Sequence, residues 1–186
     1  PPVPGRGMSV RTLAIIPARG GSQGILRKNL LPIAGKPLLA WALEAALGAR
    51  TLDQVAVSTD DQDIGALAAK YRVEVVWRPA ALSGPTVSSE SVLLHALEAL
   101  RQAQGSTPEV IVFLQCTSPC MLPEDIDRAV RLLTEEQADC AFSVTPFHGF
   151  LWQRDSAGEA LAVNHDSTRR LPRQMRPPHY LENGAI

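Results

Sequence analysis

Cysteine is scarce in this chain: Cys116, Cys120 and Cys140 are the only three in 186 residues. An odd, sparse count excludes a disulfide framework and fits a reducing cytoplasm. Cys116 and Cys120 flank Thr-Ser-Pro with no further metal ligand nearby, so they read as small loop residues. Charge of one sign is also missing. The net charge is −1, which leaves no global basic field for nucleic acid or a membrane surface, so any anion site must be local. No apolar run approaches the length of a membrane span, and no basic-then-apolar leader precedes a cleavage site. Internal repeats and low-complexity tracts are absent too. These absences leave a protein with no nucleic-acid or membrane partner.

Apolar residues make up 45% of the chain, enough for one sizeable core. Residues 1–8 (PPVPGRG and Met8) read as a disordered tail, with Met8 a plausible native start. Residues 9–186 read as one domain. Short apolar runs alternate with amphipathic stretches. Strands are expected at Leu13–Ile16, Val55–Ser58, Val73–Trp77, Val110–Leu114 and Ala141–Thr145. Helices are expected at Pro37–Leu47, Asp61–Tyr71, from Ser88 or Ser89 to Gln104, and at Pro123–Glu136. Asp60 or Asp61 caps the second helix, and Trp41 belongs to the core. The alternation implies an α/β fold with a mostly parallel sheet and helices on both faces. After Pro146 the pattern lapses. A short hairpin is expected around Ser156-Ala157-Gly158, and residues 147–181 read as a polar, Pro-rich arm.

In open parallel sheets, ligands bind beyond the carboxyl ends of the strands. Those ends carry Arg19-Gly-Gly-Ser, Ser58-Thr59-Asp60, Arg78-Pro and Gln115-Cys-Thr-Ser-Pro. The first loop, IIPARGGSQGILRKN, combines Gly20, Gly21 and Gly24 with Arg19, Arg27 and Lys28. Glycines leave backbone amides approachable, and the cations add charge-assisted bonds to phosphate oxygens. The loop is neither G-x-x-x-x-G-K-S/T nor G-x-G-x-x-G. A triphosphate suits its charge density, although a solvated glycine-rich turn would carry the same letters. Asp60 serves equally as a helix cap or a site residue. His148, His165 and His179 read as surface or subunit-contact residues, with a metal triad as the alternative.

The segment IIPARGGSQGILRKNL closely resembles the N-terminal signature of the acylneuraminate cytidylyltransferases, the CMP-sialic acid synthetase family. VSTDD (57–61), RPAALSGPTVSS (78–89), FLQCTSP (113–119) and ENGAI (182–186) extend the resemblance over nearly the whole chain. It implies a Rossmann-like nucleotidyltransferase fold. The implied activity transfers CMP from CTP to the anomeric hydroxyl of a nonulosonic acid, with Mg2+ and release of pyrophosphate, in a cytoplasmic homodimer joined through the arm. By the same resemblance, Arg19 and Lys28 are catalytic. Arg19, Gly20, Gly21, Ser22, Lys28, Asn29, Arg78 and Ser89 bind the nucleotide, and Gln115, Arg173, Gln174 and Asn183 bind the sugar. Phosphoryl transfer is largely positioning and charge neutralisation, which suits cations and amides around a triphosphate.

The chain departs from the family at several points. Gln23 stands where lysine is common, Leu26 and Pro85 where proline and aspartate are frequent, and Met121 and Leu181 where arginine is. Cys116 and Cys120 replace proline and leucine around Thr-Ser-Pro. The family's metal-binding aspartates lie beyond Ile186, so the metal ligands are unknown, and weak or absent turnover is expected of a chain truncated there. Alternatives are activation of pseudaminic acid, legionaminic acid or Kdo, a nucleotide- or sugar-binding module with impaired catalysis, or an unrelated phosphate-binding α/β protein.

Overall fold

The structure, a computed structural model, describes residues 11–186 except 23, 106 and 185. The expectations about the tail, Met8 and Gln23 lie outside the described residues. In chain order the elements are β1 (Thr12–Pro17), β2 (Pro32–Ile33), β3 (Lys36–Pro37), α1 (Leu38–Gly48), β4 (Gln54–Thr59), α2 (Gln62–Lys70) and β5 (Glu74–Trp77). They continue with α3 (Ser89–Gln104), β6 (Val110–Phe113), α4 (Pro123–Glu135), β7 (Val144–Phe147), β8 (Trp152–Arg154), β9 (Ala160–Ala162) and β10 (His179–Glu182). Two compact units result. One runs to Ser143 and includes Gly184–Ile186; the other is Val144–Asn183. No helix among the described residues is long and apolar enough to cross a membrane.

The first unit is built on a four-stranded sheet in the order β5-β4-β1-β6. Every pairing in it is parallel, with Ile15 opposite Ala56 and Phe113. Alternation along β1 sorts its side chains to two covered faces. Ala14 and Ile16 join Val57 and Val112 beneath α1, α2 and α4, through Leu39, Leu43, Ile64 and Ile126. Leu13 and Ile15 join Ala56 and Val76 beneath α3, through Ala96 and Leu100. The helices therefore cover both faces, with three on one and one on the other.

Local chemistry starts these helices. Asp61, rather than Asp60, caps α2 by accepting hydrogen bonds from the amides of Asp63 (2.9 Å) and Ile64 (3.1 Å). Ser88, rather than Ser89, caps α3 through the Ser91 amide, and Gly105 at φ 70° ends it. Pro123 opens α4, where the Asp125 carboxylate accepts the Leu122 amide. Gly65 in α2 lies under the Trp77 indole, and a Cβ there would sit 2.4 Å from Cη2. Trp41 is half-buried rather than a core residue. Its indole N–H donates to the Ile33 carbonyl at 3.0 Å and its ring carries the Lys36 ammonium at 3.7 Å, so it holds the β2–β3 hairpin on α1.

The last expected strand is displaced. Residues 141–143 are not strand, and β7 begins at Val144. It does not join the parallel sheet but pairs antiparallel with β10 in the second unit, with Pro146 opposite Tyr180. Proline has no N–H to give a ladder, and a two-stranded ribbon tolerates it where a central strand does not. The β8–β9 hairpin turns around Asp155–Gly158, close to the expected Ser156–Gly158, with Trp152 opposite Ala162. In this unit Phe150 is flanked by the guanidinium groups of Arg170 (4.4 Å) and Arg176 (4.1 Å). His165 packs edge-on against Phe150 and Trp152.

Asp127 ties α4 to the α1–β4 connection. Its Oδ1 accepts from the amides of Arg50 and Thr51 and from the Thr51 hydroxyl, each at 2.8 Å. Burial pushes its carboxyl pKa up, but these hydrogen bonds, with Arg131 nearby, outweigh burial and hold it below its ordinary value. A lowered folded pKa stabilises the fold above the unfolded value of about 4 and loses that contribution as pH falls through the folded value. Asp127→Ala is therefore expected to destabilise by about 1 kcal/mol at neutral pH, because it leaves the part-buried donors of Arg50 and Thr51 without their acceptor. In urea titrations the gap between mutant and wild type should be full above about pH 4 and narrow progressively as pH falls below it.

Candidate functional site

Parallel strands place all four carboxyl ends of the sheet at one edge, and a cleft of about 520 Å3 opens there. Arg19 enters it from the loop after β1, Arg78 from the end of β5 and Gln115 from the end of β6, while Ser88 and Ser89 enter from the start of α3. Ser22, Lys28, Asn29 and Thr117 add to the polar lining, and no Asp or Glu is among the described lining residues. Seven of the residues expected from sequence therefore meet in one cleft: Arg19, Ser22, Lys28, Asn29, Arg78, Ser89 and Gln115.

Each is placed by a definite contact or element. The Arg19 guanidinium donates to the Gly84 carbonyl at 2.9 Å, linking the first loop to the segment before α3. Asn29 is buried, and its amide donates to the Arg19 carbonyl at 3.1 Å, bracing the loop from within. Lys28 opens the 3-10 turn Lys28–Leu30 and is half-buried. Gln115 accepts from the Thr117 hydroxyl at 3.4 Å and lies against Gly184.

Arg78 is the unusual member. It is only 9% exposed, its backbone amide donates to Thr59 (2.8 Å), and its guanidinium donates to the Ser58 carbonyl (2.6 Å). Its Nε has no hydrogen-bond partner, and no carboxylate forms an ion pair with it among the described residues. Burial lowers its pKa; the Asp60 charge acts against that shift, and Arg19 adds to it. A buried cation without a bonded counter-charge is costly unless an anion arrives to meet it.

Other residues singled out from the sequence lie elsewhere. Arg27 is not a cleft cation. With φ at +52° its chain turns away, and its guanidinium pairs with Asp61 (3.3 Å) and Asp63 (2.6 Å) at the start of α2. Gly20 and Gly21 are not among the described lining residues, and the Gly20 amide donates to Asp60 Oδ1 at 3.0 Å. Arg173, Gln174 and Asn183 belong to the second unit. There Arg173 and Gln174 line a separate cavity of about 380 Å3 with His148 and Arg176, and Arg173 donates to His148 Nε2 at 2.7 Å. Among the described residues no group of three His, Cys, Asp or Glu could hold a metal ion, which includes His148, His165 and His179. Sequence reasoning did not single out Ser88, Cys116 or Gly84 as part of the cleft, because their placement depends on how loops from distant strands meet. Ser88 did carry a signal, its position at a helix start, and so did Cys116, its position at a strand end.

Cys116 lines the cleft but is buried, and burial pushes its thiol up to about 12 despite nearby Lys28 and Arg78. Cys120 and Cys140 are exposed. A native-state titration with Ellman's reagent is expected to consume two thiols promptly and the third only after denaturation. Prompt reaction of all three would contradict a buried, protonated Cys116.

The cytidylyltransferase family model matches residues 13–171. The chain is 36% identical over 178 residues to an N-acylneuraminate cytidylyltransferase of Oncorhynchus mykiss, covering 93% of this chain and 40% of that protein. It is 39% identical over 139 residues to the enzyme of the same name from Escherichia coli O18:K1:H7 (74% and 32% covered). It is 34% identical over 139 residues to a pseudaminic acid cytidylyltransferase of Campylobacter jejuni serotype O:2 (74% and 60% covered). The chain thus spans about two fifths of the length of the fish relative. Solved structures agree on the fold. A CMP:2-keto-3-deoxy-manno-octonic acid synthetase complexed with CTP matches with TM-score 0.57 at 23% identity, over 72% of this chain and 50% of that one. A 4-diphosphocytidyl-2C-methyl-D-erythritol synthase matches with TM-score 0.65 at 16% identity, over 87% and 71%.

Proposed function

The chain belongs to the cytidylyltransferase family, and on that premise we propose that its strand-end cleft binds CTP and serves CMP transfer to a nonulosonic acid. The observation that carries this reading is Arg78: a buried guanidinium with an unpartnered Nε, lining with Arg19 and Lys28 a cleft that has no acid among its described residues. Three cations converging on one space favour a polyanion, and a triphosphate supplies the charge. In the proposed reaction the sugar's anomeric oxygen bonds to the α-phosphorus and gives up its proton to water. The bond from that phosphorus to the bridging oxygen breaks, and pyrophosphate leaves. Arg19 and Lys28 would bind the phosphates and balance the charge that develops on the leaving group. Gly20, Gly21 and Ser22 would shape the loop around them, with Asn29 holding it. Ser89 would form the nucleoside side, Arg78 would serve both nucleoside and phosphate, and Gln115 would meet the sugar.

The relatives name both N-acylneuraminate and pseudaminic acid, so the acceptor is proposed as the class of nonulosonic acids. Arg173, Gln174 and Asn183 are proposed for its recognition, because the arm supplies cations suited to a carboxylate. Mg2+ is the expected cofactor, but the described residues offer no group of three ligands that fits a resident ion. A homodimer through residues 144–183 is proposed because no described residue of that unit is buried while Trp152, Val163, Tyr180 and Leu181 are exposed. Free cysteines support a cytoplasmic location.

Isothermal titration against CTP, UTP, ATP and GTP tests the reading. CTP is expected to bind most tightly, and Arg78→Met to weaken it by about tenfold or more, as loss of a charged hydrogen-bonding group does. Absence of nucleotide binding would overturn the proposal. Sedimentation at increasing concentration should reveal the dimer, and a persistent monomer would count against the arm's proposed role.

A further inference from the structure

One acid stands where an anion-binding loop has least use for it. Asp60 follows β4, and its Oδ1 takes the backbone N–H of Gly20 at 3.0 Å. That amide directly follows Arg19 in the loop and is thereby committed to the protein rather than to a ligand. A carboxylate this close to a phosphate site repels the ligand, so its presence needs a compensating purpose. The surrounding bonds supply one. The residue before the loop, Ala18, donates its amide to Ser58 at 2.9 Å. The far part of the loop is tied to the same turn through Arg27, with Asp61 and Asp63. Space around Gly20 is also limited: a Cβ there would lie 2.6 Å from Asp61 Oδ2, so glycine lets the loop approach the turn. Asp60 accepts a hydrogen bond from the start of the loop, and Asp61 approaches the same point closely.

We infer that Asp60 is a positioning residue, whose carboxylate oxygen anchors the Gly20 amide and so sets the direction in which Arg19 enters the cleft. This rests on the proposed nucleotide reading of that cleft. The geometry separates two properties of Asp60, its acceptor oxygen and its charge. Asparagine keeps an acceptor oxygen of the same shape without the charge, whereas alanine removes both. If the oxygen is what matters, Asp60→Asn preserves loop geometry and also relieves repulsion toward phosphate. Asp60→Ala frees the Gly20 amide and lets the loop move.

The test compares wild type, Asp60→Ala and Asp60→Asn by calorimetry with CTP and by hydrogen exchange at the Gly20 amide, with circular dichroism confirming the fold. Asp60 is exposed, so all three chains should fold. For Asp60→Ala we expect the CTP dissociation constant to rise about tenfold or more, in the range for losing a charge-assisted hydrogen bond, together with faster Gly20 exchange. For Asp60→Asn we expect Gly20 protection restored and affinity equal to or tighter than that of wild type. Unchanged affinity and unchanged Gly20 protection in Asp60→Ala would overturn the inference, as would Asp60→Asn binding as weakly as alanine. A wild-type chain that binds no CTP would remove the proposed function, while the Gly20 exchange contrast would still decide whether Asp60 holds the loop.

Discussion

The carboxyl end of β4 is the point from which the cleft is built. Ser58 and Thr59 are fully buried, and their carbonyls take three bonds from two other parts of the chain. Ser58 accepts the Ala18 amide and the Arg78 guanidinium, and Thr59 accepts the Arg78 amide. The Thr59 hydroxyl takes the Asp61 amide and so seats the cap of α2. Each such bond contributes only about 1 kcal/mol net, but leaving any of these buried groups unpaired would cost more. The loop after β1 and the cation after β5 are therefore held in register by one strand end. Contacts made within the protein therefore position Arg78, which lowers the ordering cost of meeting a ligand.

This arrangement also sorts charge. Arg27 and Lys28 are neighbours in sequence but do opposite things. Arg27, in the left-handed region, turns outward to the acids of α2, and Lys28 turns into the cleft. The acids of the Asp60–Asp63 turn are occupied with Gly20, Arg27 and the α2 cap, and none lines the cleft among the described residues. The positive field of the cleft is thus local in a chain whose net charge is −1.

Much of the fold was legible in the sequence because burial on two faces leaves a plain mark. Leu13–Ile16 and Val55–Val57 are unbroken apolar runs, as strands covered on both sides must be, and each is matched by an observed strand of the parallel sheet. Ser88 and Asp61 carried cap chemistry in their own side chains. The strand expected at Ala141–Thr145 failed for the reverse reason. Its pattern is equally compatible with a covered strand and an exposed ribbon, and Pro146 decided for the ribbon. Trp41 misled in the same way, since helical spacing among alanines does not reveal a hairpin packed on one side.

By itself the sequence determined the alternation of strands and helices, the helix starts, and the gathering of Arg19, Lys28, Arg78 and Gln115 at strand ends, because periodicity and capping are local properties. Only the tertiary structure decided which cations face the cleft, that Arg78 is buried without a bonded acid, and that the Gly20 amide is spent on Asp60. Those facts depend on contacts between segments some 20 or more residues apart, such as Arg78 with Ser58, Gly20 with Asp60 and Arg19 with Gly84. A linear pattern records which groups are available, and the packed sheet decides which of them meet.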